Sequence, residues 1–189
     1  LTMEHELFRH LELELFVPRN QLTEAAGFVE RILQWADGIE VKFIDDEIRQ
    51  LNELGLESEL ATIKGSYTHH YPICFRKILA DATLISMAAG QQEAWYAISL
   101  ITYVEPRDDF FRVATFLAKF VVAHFGGRIH WGKWFPLDGV DVEKMYPRID
   151  EFREVCDRYD SQGVFRNEFV KRTIFNETTE TSSQTDDGY

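Results

Sequence analysis

A long apolar helix is the feature that most constrains the fold of this chain. The sequence predicts a helix over Asp108–Phe125, and its segment Val113–Phe125 carries only two ionisable side chains, Lys119 and His124. Other elements have to cover such a helix, because it is apolar on most of its surface. The run is also too short for a membrane span. We therefore expect a packed domain around this helix, which ends at Gly126–Gly127.

Several segments have the alternation or the β-rich composition of strands. Residues 11–16, LELELF, alternate apolar and acidic side chains, which predicts a half-buried strand ending at Pro18. A second alternating run, IEVKFI at residues 39–44, predicts another strand. Further β-rich runs lie at residues 73–80, 83–89 and 93–106. Strands that follow one another directly favour antiparallel pairing.

Three more segments indicate helices. Residues 21–36 have helical spacing of apolar side chains and follow Asn20, a residue that can cap a helix. Residues 45–60 are rich in Glu and Leu and predict a helix broken near Gly55, and residues 148–159 are amphipathic. Helices interleaved with successive strands predict the α+β class, with an antiparallel sheet and helices packed on one face.

The composition excludes several classes of function. The 189 residues have a net charge of −12, which argues against nucleic-acid binding, because nonspecific binding needs clustered Lys and Arg. Cys74 and Cys156 form neither a disulfide framework nor a zinc motif, and we predict no metal site. Because the sequence has no signal peptide and no transmembrane segment, we expect a cytoplasmic protein, with peripheral membrane association left open.

The stretch GGRIHWGKWFPLDG, Gly126–Gly139, concentrates unusual residues directly after the apolar helix. Gly132 allows the backbone to approach a neighbour closely. Lys133 beside a developing anion would stabilise that anion, and His130 is able to donate a hydrogen bond or to move a proton. A structural turn with packed tryptophans and a solvated lysine explains the same residues. The local sequence leaves both interpretations open.

Two further motifs carry candidate binding residues. The run YTHHYP at residues 67–72 places His69 and His70 side by side. Adjacent strand side chains point to opposite faces, so this pair does not predict a shared metal ion, although one of them could line a polar pocket. Arg76 lies in a strand that is otherwise apolar on one face. An arginine there indicates either a carboxylate partner or a bound oxyanion.

Polar side chains also occur on the other predicted strands. Thr102 and Ser99 are able to hydrogen-bond a ligand, although threonine is simply a good strand residue. Glu12 and Glu14 share one face of their strand, opposite three leucines. We interpret this pair of glutamates as a solvated face and not as a catalytic pair.

Several motifs together resemble one enzyme family. They are GGRIHWGKWFPL (126–137), YPRIDEFREVCDRYDSQGVFRNEF (146–169), ELELFVPR (12–19), FRKILADATLIS (75–86) and YAISLITY (96–103). The set resembles the C-terminal end of the sugar-1,4-lactone oxidase family, which includes D-arabinono-1,4-lactone oxidase and alditol oxidase and belongs to the vanillyl-alcohol-oxidase type of flavoproteins. Ile129 and Ser161 stand where that family has prolines, and Cys74 stands where it commonly has a glutamate.

The resemblance implies an FAD-dependent oxidoreductase that acts on CH–OH groups, with electrons passing from a sugar lactone, polyol or similar alcohol to flavin and on to oxygen. Residues 1–175 would form its C-terminal substrate-binding (cap) domain, and residues 176–189 a disordered acidic tail. An N-terminal half outside this chain, which begins at Leu1, would bind most of the FAD and act as partner. We expect the chain alone to be inactive. The alternative is a non-catalytic α+β ligand-binding or interaction module derived from such a domain.

The resemblance also implies a catalytic set of Lys133, Arg76 and His130. Lys133 matches a lysine beside flavin and substrate, and His130 is expected to shape the same wall, on a strand over residues 128–133. Arg76 matches an arginine that binds substrate hydroxyls and assists their deprotonation. Thr102 matches a threonine that contacts substrate.

The remaining assignments concern both ligands. Asn167 belongs to the cofactor-binding set and is expected to anchor the terminal segment. Cys74 joins the substrate-binding set through its place two residues before the arginine. Because this position lacks the glutamate, we hypothesise that His69 and His70 supply replacement polar groups for the substrate.

Overall fold

The computed structural model describes residues 9–90 and 93–177. The chain divides into two compact units, one ending at Pro136 and the other beginning at Leu137. The predicted disordered tail begins at Asn176, and the part of it beyond Glu177 lies outside the described residues.

The first unit is built on a sheet that, within the described residues, has four strands. They are β1 (Leu11–Pro18), β2 (Cys74–Ile78), β3 (Trp95–Thr102) and β4 (Arg128–Ile129). Their spatial order is β2, β3, β1, β4, and every neighbouring pair is antiparallel. The predicted α+β class with an antiparallel sheet is confirmed.

The register separates two chemically different faces. Leu13 pairs with Leu100, and these side chains, at most 1% exposed, lie on the apolar face. Glu14 pairs with Ser99, which in turn pairs with Cys74. Because side chains alternate along a strand, these three lie in one row on the opposite face, which we call the polar face.

Among the described residues, four α-helices complete the first unit: α1 (Leu22–Ala36), α2 (Asp45–Leu54), α3 (Glu57–Ile63) and α4 (Arg107–Phe125). The apolar helix predicted at 108–125 is confirmed as α4, which packs with α1 against β1. Phe28 of α1 stacks on Phe120 of α4, with ring centroids 3.9 Å apart. The predicted break near Gly55 is also confirmed, since this residue has a φ of 65° between α2 and α3.

Two glycines link α4 to β4 for different reasons. Gly126 ends the helix in the left-handed conformation, with a φ of 59°. Gly127 is needed for space: a Cβ there would lie 2.6 Å from Cγ1 of Val121 and 3.0 Å from the carbonyl oxygen of Phe16. The helix therefore turns directly into β4 against the neighbouring strand.

The strand predicted at residues 39–44 is wrong. This segment connects α1 and α2 and pairs with no described strand. Ile39 donates its N–H to the carbonyl of Gln34 at 2.9 Å, which ties the segment to the end of α1. Ile39 and Ile44 are each 51% exposed, so the alternation does not mark a buried face.

The strand predicted at residues 83–89 is also wrong, because this segment folds back on itself. Asp81 Oδ1 accepts from the Thr83 N–H at 2.9 Å, and Asp81 Oδ2 accepts from the Ser86 hydroxyl at 2.6 Å. These hydrogen bonds lower the pKa of Asp81, the one to Ser86 most. Local bonds of this kind compete with a strand ladder, and only an isolated bridge joins Asp81 to Ala89.

The predicted Asn20 cap is not observed. A short 3₁₀ turn, Arg19–Gln21, precedes α1, and the N-cap residue of α1 is Gln21, without a side-chain cap bond. The chain therefore enters α1 through this turn, and the N-cap side chain accepts no hydrogen bond from the first N–H groups of the helix.

The second unit contains the helices α5 (Gly139–Met145), α6 (Ile149–Tyr159) and α7 (Glu168–Thr173). The amphipathic helix predicted at 148–159 is confirmed as α6. Asp138 caps α5, and Asn167 caps α7 by accepting the Val170 N–H at 2.9 Å. In the part of the chain that the structure describes, none of the helices combines the length and apolar character needed to cross a membrane.

Candidate active site

The HWGK segment is a turn that leaves the edge of β1 and returns to it. His130 donates its N–H to the Glu14 carbonyl at 3.0 Å, and Trp134 donates its N–H to the Glu12 carbonyl at 3.1 Å. Between these two bonds, Lys133 N–H closes the turn on the His130 carbonyl at 3.2 Å. The strand predicted over residues 128–133 is therefore too long, because only Arg128–Ile129 is strand.

This turn brings two basic side chains to two acidic ones. Lys133 forms an ion pair with Glu12, whose side chain is 11% exposed. His130 approaches Glu14, with 3.9 Å between Nε2 and Oε2. Since the two glutamates are two residues apart on one strand, both lie on the polar face. The motif thus places one cation and one imidazole over a row of carboxylates.

Glu14 is the centre of the polar face. Its side chain is completely buried. Oε1 forms an ion pair with Arg76 and accepts a hydrogen bond from the Ser99 hydroxyl at 3.1 Å. The hydrogen bond that Arg76 donates to Glu14 and, next, the negative charge of Glu14 raise the pKa of Arg76. A buried charge is tolerated only with such partners, so Glu14 holds Arg76 in place.

The guanidinium of Arg76 is only partly used by this ion pair. Its side chain remains 61% exposed, whereas that of Glu14 is 1% exposed. A guanidinium has five N–H donors in a planar fork. The side chain is therefore accessible to a ligand while a buried carboxylate anchors it.

No described residue forms a hydrogen bond with the second oxygen of Glu14, although this atom is buried. The nearest donor among its ion-pair partners is His130, and 3.9 Å is too long for a hydrogen bond. Gly132 N–H donates to Nδ1 of His130 at 3.0 Å, so the neutral ring carries its proton on Nε2. Nε2 is also the ring nitrogen that lies nearest Oε2 of Glu14.

Interpretation of Glu12 and Glu14 as a solvated face is wrong. The alternation along β1 correctly separates glutamates from leucines, but it does not reveal what covers each face. Arg76 comes from a strand that is two positions away in the sheet, and His130 comes from the turn after β4. The sequence signal for this contact was Arg76, a basic residue in an apolar strand. A carboxylate was one of the two partners predicted for it.

Two predicted substrate-binding residues lie at different places on the sheet. Cys74 is exposed and belongs to the polar-face row with Ser99 and Glu14. Thr102 pairs with Leu11, so its side chain lies on the opposite, apolar face, and it is fully buried. The structure therefore brings Cys74, but not Thr102, to the face that holds Arg76.

The two adjacent histidines have separate surroundings. His69 Nδ1 lies 2.9 Å from the hydroxyl of Tyr67, a buried side chain whose ring packs near Phe110. Burial, together with the charge of His70, lowers the pKa of His69. His70 is exposed and packs edge-on against Tyr103. Their predicted role in substrate binding stays a prediction.

Hydrogen bonds from Arg128 and Trp131, which flank His130 in the sequence, hold a loop at residues 81–90. The guanidinium of Arg128, a residue that is 7% exposed, donates to the carbonyls of Ser86, Met87 and Ala89, the last at 2.7 Å. Trp131 donates its indole N–H to the Ile85 carbonyl at 2.9 Å. Arg128 was missed by sequence reasoning, because its partners are backbone carbonyls that leave no residue pattern.

A cleft of about 330 Å³ opens beside Lys133. Its lining includes Glu12, Lys133 and Trp134, and the ring of Trp134 stacks on Phe111 with centroids 3.8 Å apart. The cleft thus combines an ion pair with an aromatic wall. Asn167 belongs to the second unit, where its side chain serves as the cap of α7.

Comparison with known proteins gives the family. Residues 2–173 match the family model described as D-arabinono-1,4-lactone oxidase. This chain belongs to that family. The predicted resemblance to the sugar-lactone and alditol oxidases is therefore confirmed, and the D-arabinono-1,4-lactone oxidase family is one of FAD-dependent oxidases and dehydrogenases.

Relatives within the family carry different names. The chain is 46% identical, over 172 residues, to a long-chain alcohol oxidase of an uncultured marine euryarchaeote; the match covers 90% of this chain and 36% of that protein. It is 31% identical over 107 residues to L-gulonolactone oxidase of Mus musculus, covering 56% of this chain and 24% of the relative. It is 28% identical over 104 residues to L-gulono-1,4-lactone dehydrogenase of Mycobacterium tuberculosis, and the match covers 55% of this chain and 23% of that relative.

The chain therefore spans only part of the curated proteins that it matches, 36% of the first and about a quarter of the others. FAD is implied by the family. The polar face is chemically suited to such a group, because Lys133 and Arg76 present N–H donors and flavins carry ring oxygens and nitrogens that accept hydrogen bonds.

Proposed function

We propose that this chain is the substrate-binding half of an FAD-dependent oxidoreductase acting on CH–OH groups. The observation that carries the proposal is the exposed Arg76 guanidinium held by the buried carboxylate of Glu14. An arginine fixed in this way is preorganised to bind an oxygen that gains negative charge during a reaction. Membership of a family of alcohol and sugar-lactone oxidases supports the same function.

In this proposal, each basic residue of the polar face has a defined task. Arg76 holds the substrate hydroxyl oxygen and lowers the cost of removing its proton. Lys133, held by Glu12 beside the cleft, would stabilise negative charge on the substrate oxygen or on bound FAD. His130 forms the wall between them. When bound, FAD supplies the hydride-accepting chemistry.

The proposed cofactor-binding partner is an N-terminal FAD-binding half of the same enzyme. It is supported by the lengths of the relatives, of which this chain covers a minor share. Lys133 and His130 are the residues of the first unit that we assign to the cofactor. Asn167, in the second unit, caps α7, and its role in cofactor binding stays a prediction. The full-length enzyme, and not this chain alone, is the proposed active species.

For the substrate, we favour an alcohol with an apolar chain over a sugar lactone. The row beside Arg76 offers Cys74 where a polyol would need another strong hydrogen-bonding group. Ile101 also lies on the polar face, since it pairs with Glu12. The long-chain alcohol oxidase that is 46% identical agrees with this preference.

A substrate panel tests the proposal. The full-length flavoprotein is assayed with primary alcohols of increasing chain length and with L-gulono-1,4-lactone under the same conditions. We expect kcat/KM to rise with chain length, by about threefold to fourfold per buried CH₂ group, and the lactone to be the poorer substrate. Oxidation of the lactone alone would contradict the substrate class. Oxidation of neither would contradict the enzymatic function and leave a binding module.

A further inference from the structure

One oxygen of Glu14 is an unused acceptor in an otherwise satisfied group. Oε1 is engaged by Arg76 and Ser99, whereas Oε2 is buried without a hydrogen bond. A buried polar atom without a partner has a considerable free-energy cost. Such an atom in a native structure calls for a physical explanation, and a bound polar group that completes it is one.

The surroundings of this oxygen specify the missing partner. Arg76 is a cation that donates only. Because Nδ1 of His130 accepts from Gly132, its Nε2 carries a proton and donates toward this side. The partner has to donate one hydrogen bond to the Glu14 carboxylate and accept from a neighbouring N–H. A hydroxyl group has both functions in one small atom. An ether or an alkane lacks the donor.

Access to this oxygen depends on side chains rather than on the sheet backbone. The side chain of His130 is 31% exposed and that of Arg76 is 61% exposed, so both reach the surface above the buried carboxylate. Entry of a small group to Oε2 therefore requires displacement of side chains only. Occupancy by a hydroxyl then replaces the long 3.9 Å approach with two ordinary hydrogen bonds.

We propose that Glu14 is a hydroxyl-binding residue, whose Oε2 accepts the O–H of an alcohol while Arg76 and His130 donate to the alcohol oxygen. This rests on the proposed function only for the identity of the ligand as substrate. The site explains the buried carboxylate, its anchoring to Ser99, and the tautomer that Gly132 imposes on His130.

The experiment measures binding without turnover. tert-Amyl alcohol has no hydrogen on its carbinol carbon and cannot be oxidised to a carbonyl. tert-Amyl methyl ether keeps the tert-amyl group and the oxygen but has a methyl group in place of the hydroxyl hydrogen. Calorimetric titration of the full-length protein is expected to show the alcohol binding about 10- to 100-fold more tightly than the ether, the range for a hydrogen bond to a charged group. Equal affinities would overturn the proposal.

Two variants test whether Glu14 is responsible for the preference for the alcohol over the ether. Glu14→Gln keeps the shape but replaces the carboxylate, and we expect the preference for alcohol over ether to fall to threefold or less. Glu30→Gln on the exposed side of α1 is the matched control and should keep the full preference. An undiminished preference in Glu14→Gln would reject the role of Glu14.

A second measurement does not depend on the variant folding. In wild-type protein, the ring nitrogen resonances of His130 are expected to shift on addition of tert-amyl alcohol and to stay unchanged with the ether. Identical spectra with both probes would overturn the proposal. If the alcohol binds as described but primary alcohols are not oxidised, the hydroxyl site stands and the proposed enzymatic function fails.

Discussion

Arg76 and Glu14 form an ion pair across an intervening strand. Arg76 lies on the edge strand β2 and Glu14 on β1, and β3 runs between them. Neighbouring strands are about 4.8 Å apart, so the two backbones are separated by about 10 Å. The pair forms diagonally because the arginine is long and because the β3 residues opposite the two partners, Ala97 opposite Arg76 and Ser99 opposite Glu14, are small. Ser99 also donates to the same carboxylate oxygen.

Lys133 is expected to matter for rate. Lys133→Met in the full-length enzyme should lower kcat by about 10²- to 10³-fold, because one charge-stabilising contact is removed. Steady-state kinetics with a primary alcohol provide the measurement. Lys119→Met is the control, since Lys119 pairs with Glu59 between α3 and α4 and should leave kcat within about twofold. A similar effect of both substitutions would point to a general electrostatic effect and not to a site at Lys133.

Gly127 and Gly126 should respond differently to a methyl group. Gly127→Ala is expected to destabilise the fold by about 2–3 kcal/mol through overpacking, and Gly126→Ala by about 1 kcal/mol through left-handed backbone strain. The free energy of unfolding from urea titration gives both values. In a double-mutant cycle with Val121→Ala, the two losses should be less than additive, because Val121 is buried but its Cγ1 is the side-chain atom in the way. The loss from the same substitution should simply add to that of Gly126→Ala.

Arg128 should be essential for the loop at residues 81–90. Arg128→Met leaves three backbone carbonyls without their donor and is expected to cost about 3 kcal/mol. Hydrogen exchange should show faster exchange of the amides of Asp81 and Gly90, which bond across the neck of the loop. Arg49→Met, at an exposed ion pair on α2, should cost less than about 0.5 kcal/mol. Unchanged protection of the loop amides would refute this view of Arg128.

His69 should contribute to the pH dependence of stability. Burial lowers its pKa in the folded state, so the unfolded chain binds more protons at this side chain as the pH falls below about 6.5. Protonation thus favours unfolding, and stability is lost on acidification. His69→Gln should flatten the fall of unfolding free energy between pH 7 and pH 5. Parallel curves for wild type and variant would show that His69 does not titrate differently on folding.

The sequence predicted the elements whose signals are local. The apolar periodicity of α4, the break at Gly55 and the alternation of β1 each depend on neighbouring residues, and all three are confirmed. The alternation at residues 39–44 failed because a strand also needs a partner edge. The segment 83–89 failed because Asp81 supplies hydrogen bonds that replace a ladder.

The candidate site was only half predictable. Arg76, His130 and Lys133 were identified as single residues through the family resemblance. Their partners on β1, Glu12 and Glu14, were not predicted, because the strand order β2, β3, β1, β4 decides which side chains lie next to each other. Nothing local in the LELELF run distinguishes a buried glutamate from a solvated one.

In the proposed enzyme, the polar face with Arg76 binds the alcohol that is oxidised. Anaerobic mixing of the full-length flavoprotein with a primary alcohol, followed by the loss of flavin absorbance, tests it most directly. We predict rapid bleaching in the wild-type protein and a rate about 10²-fold lower in Arg76→Ala. Bleaching of Arg76→Ala at the wild-type rate, or no bleaching of the wild-type protein by any alcohol, would contradict the account.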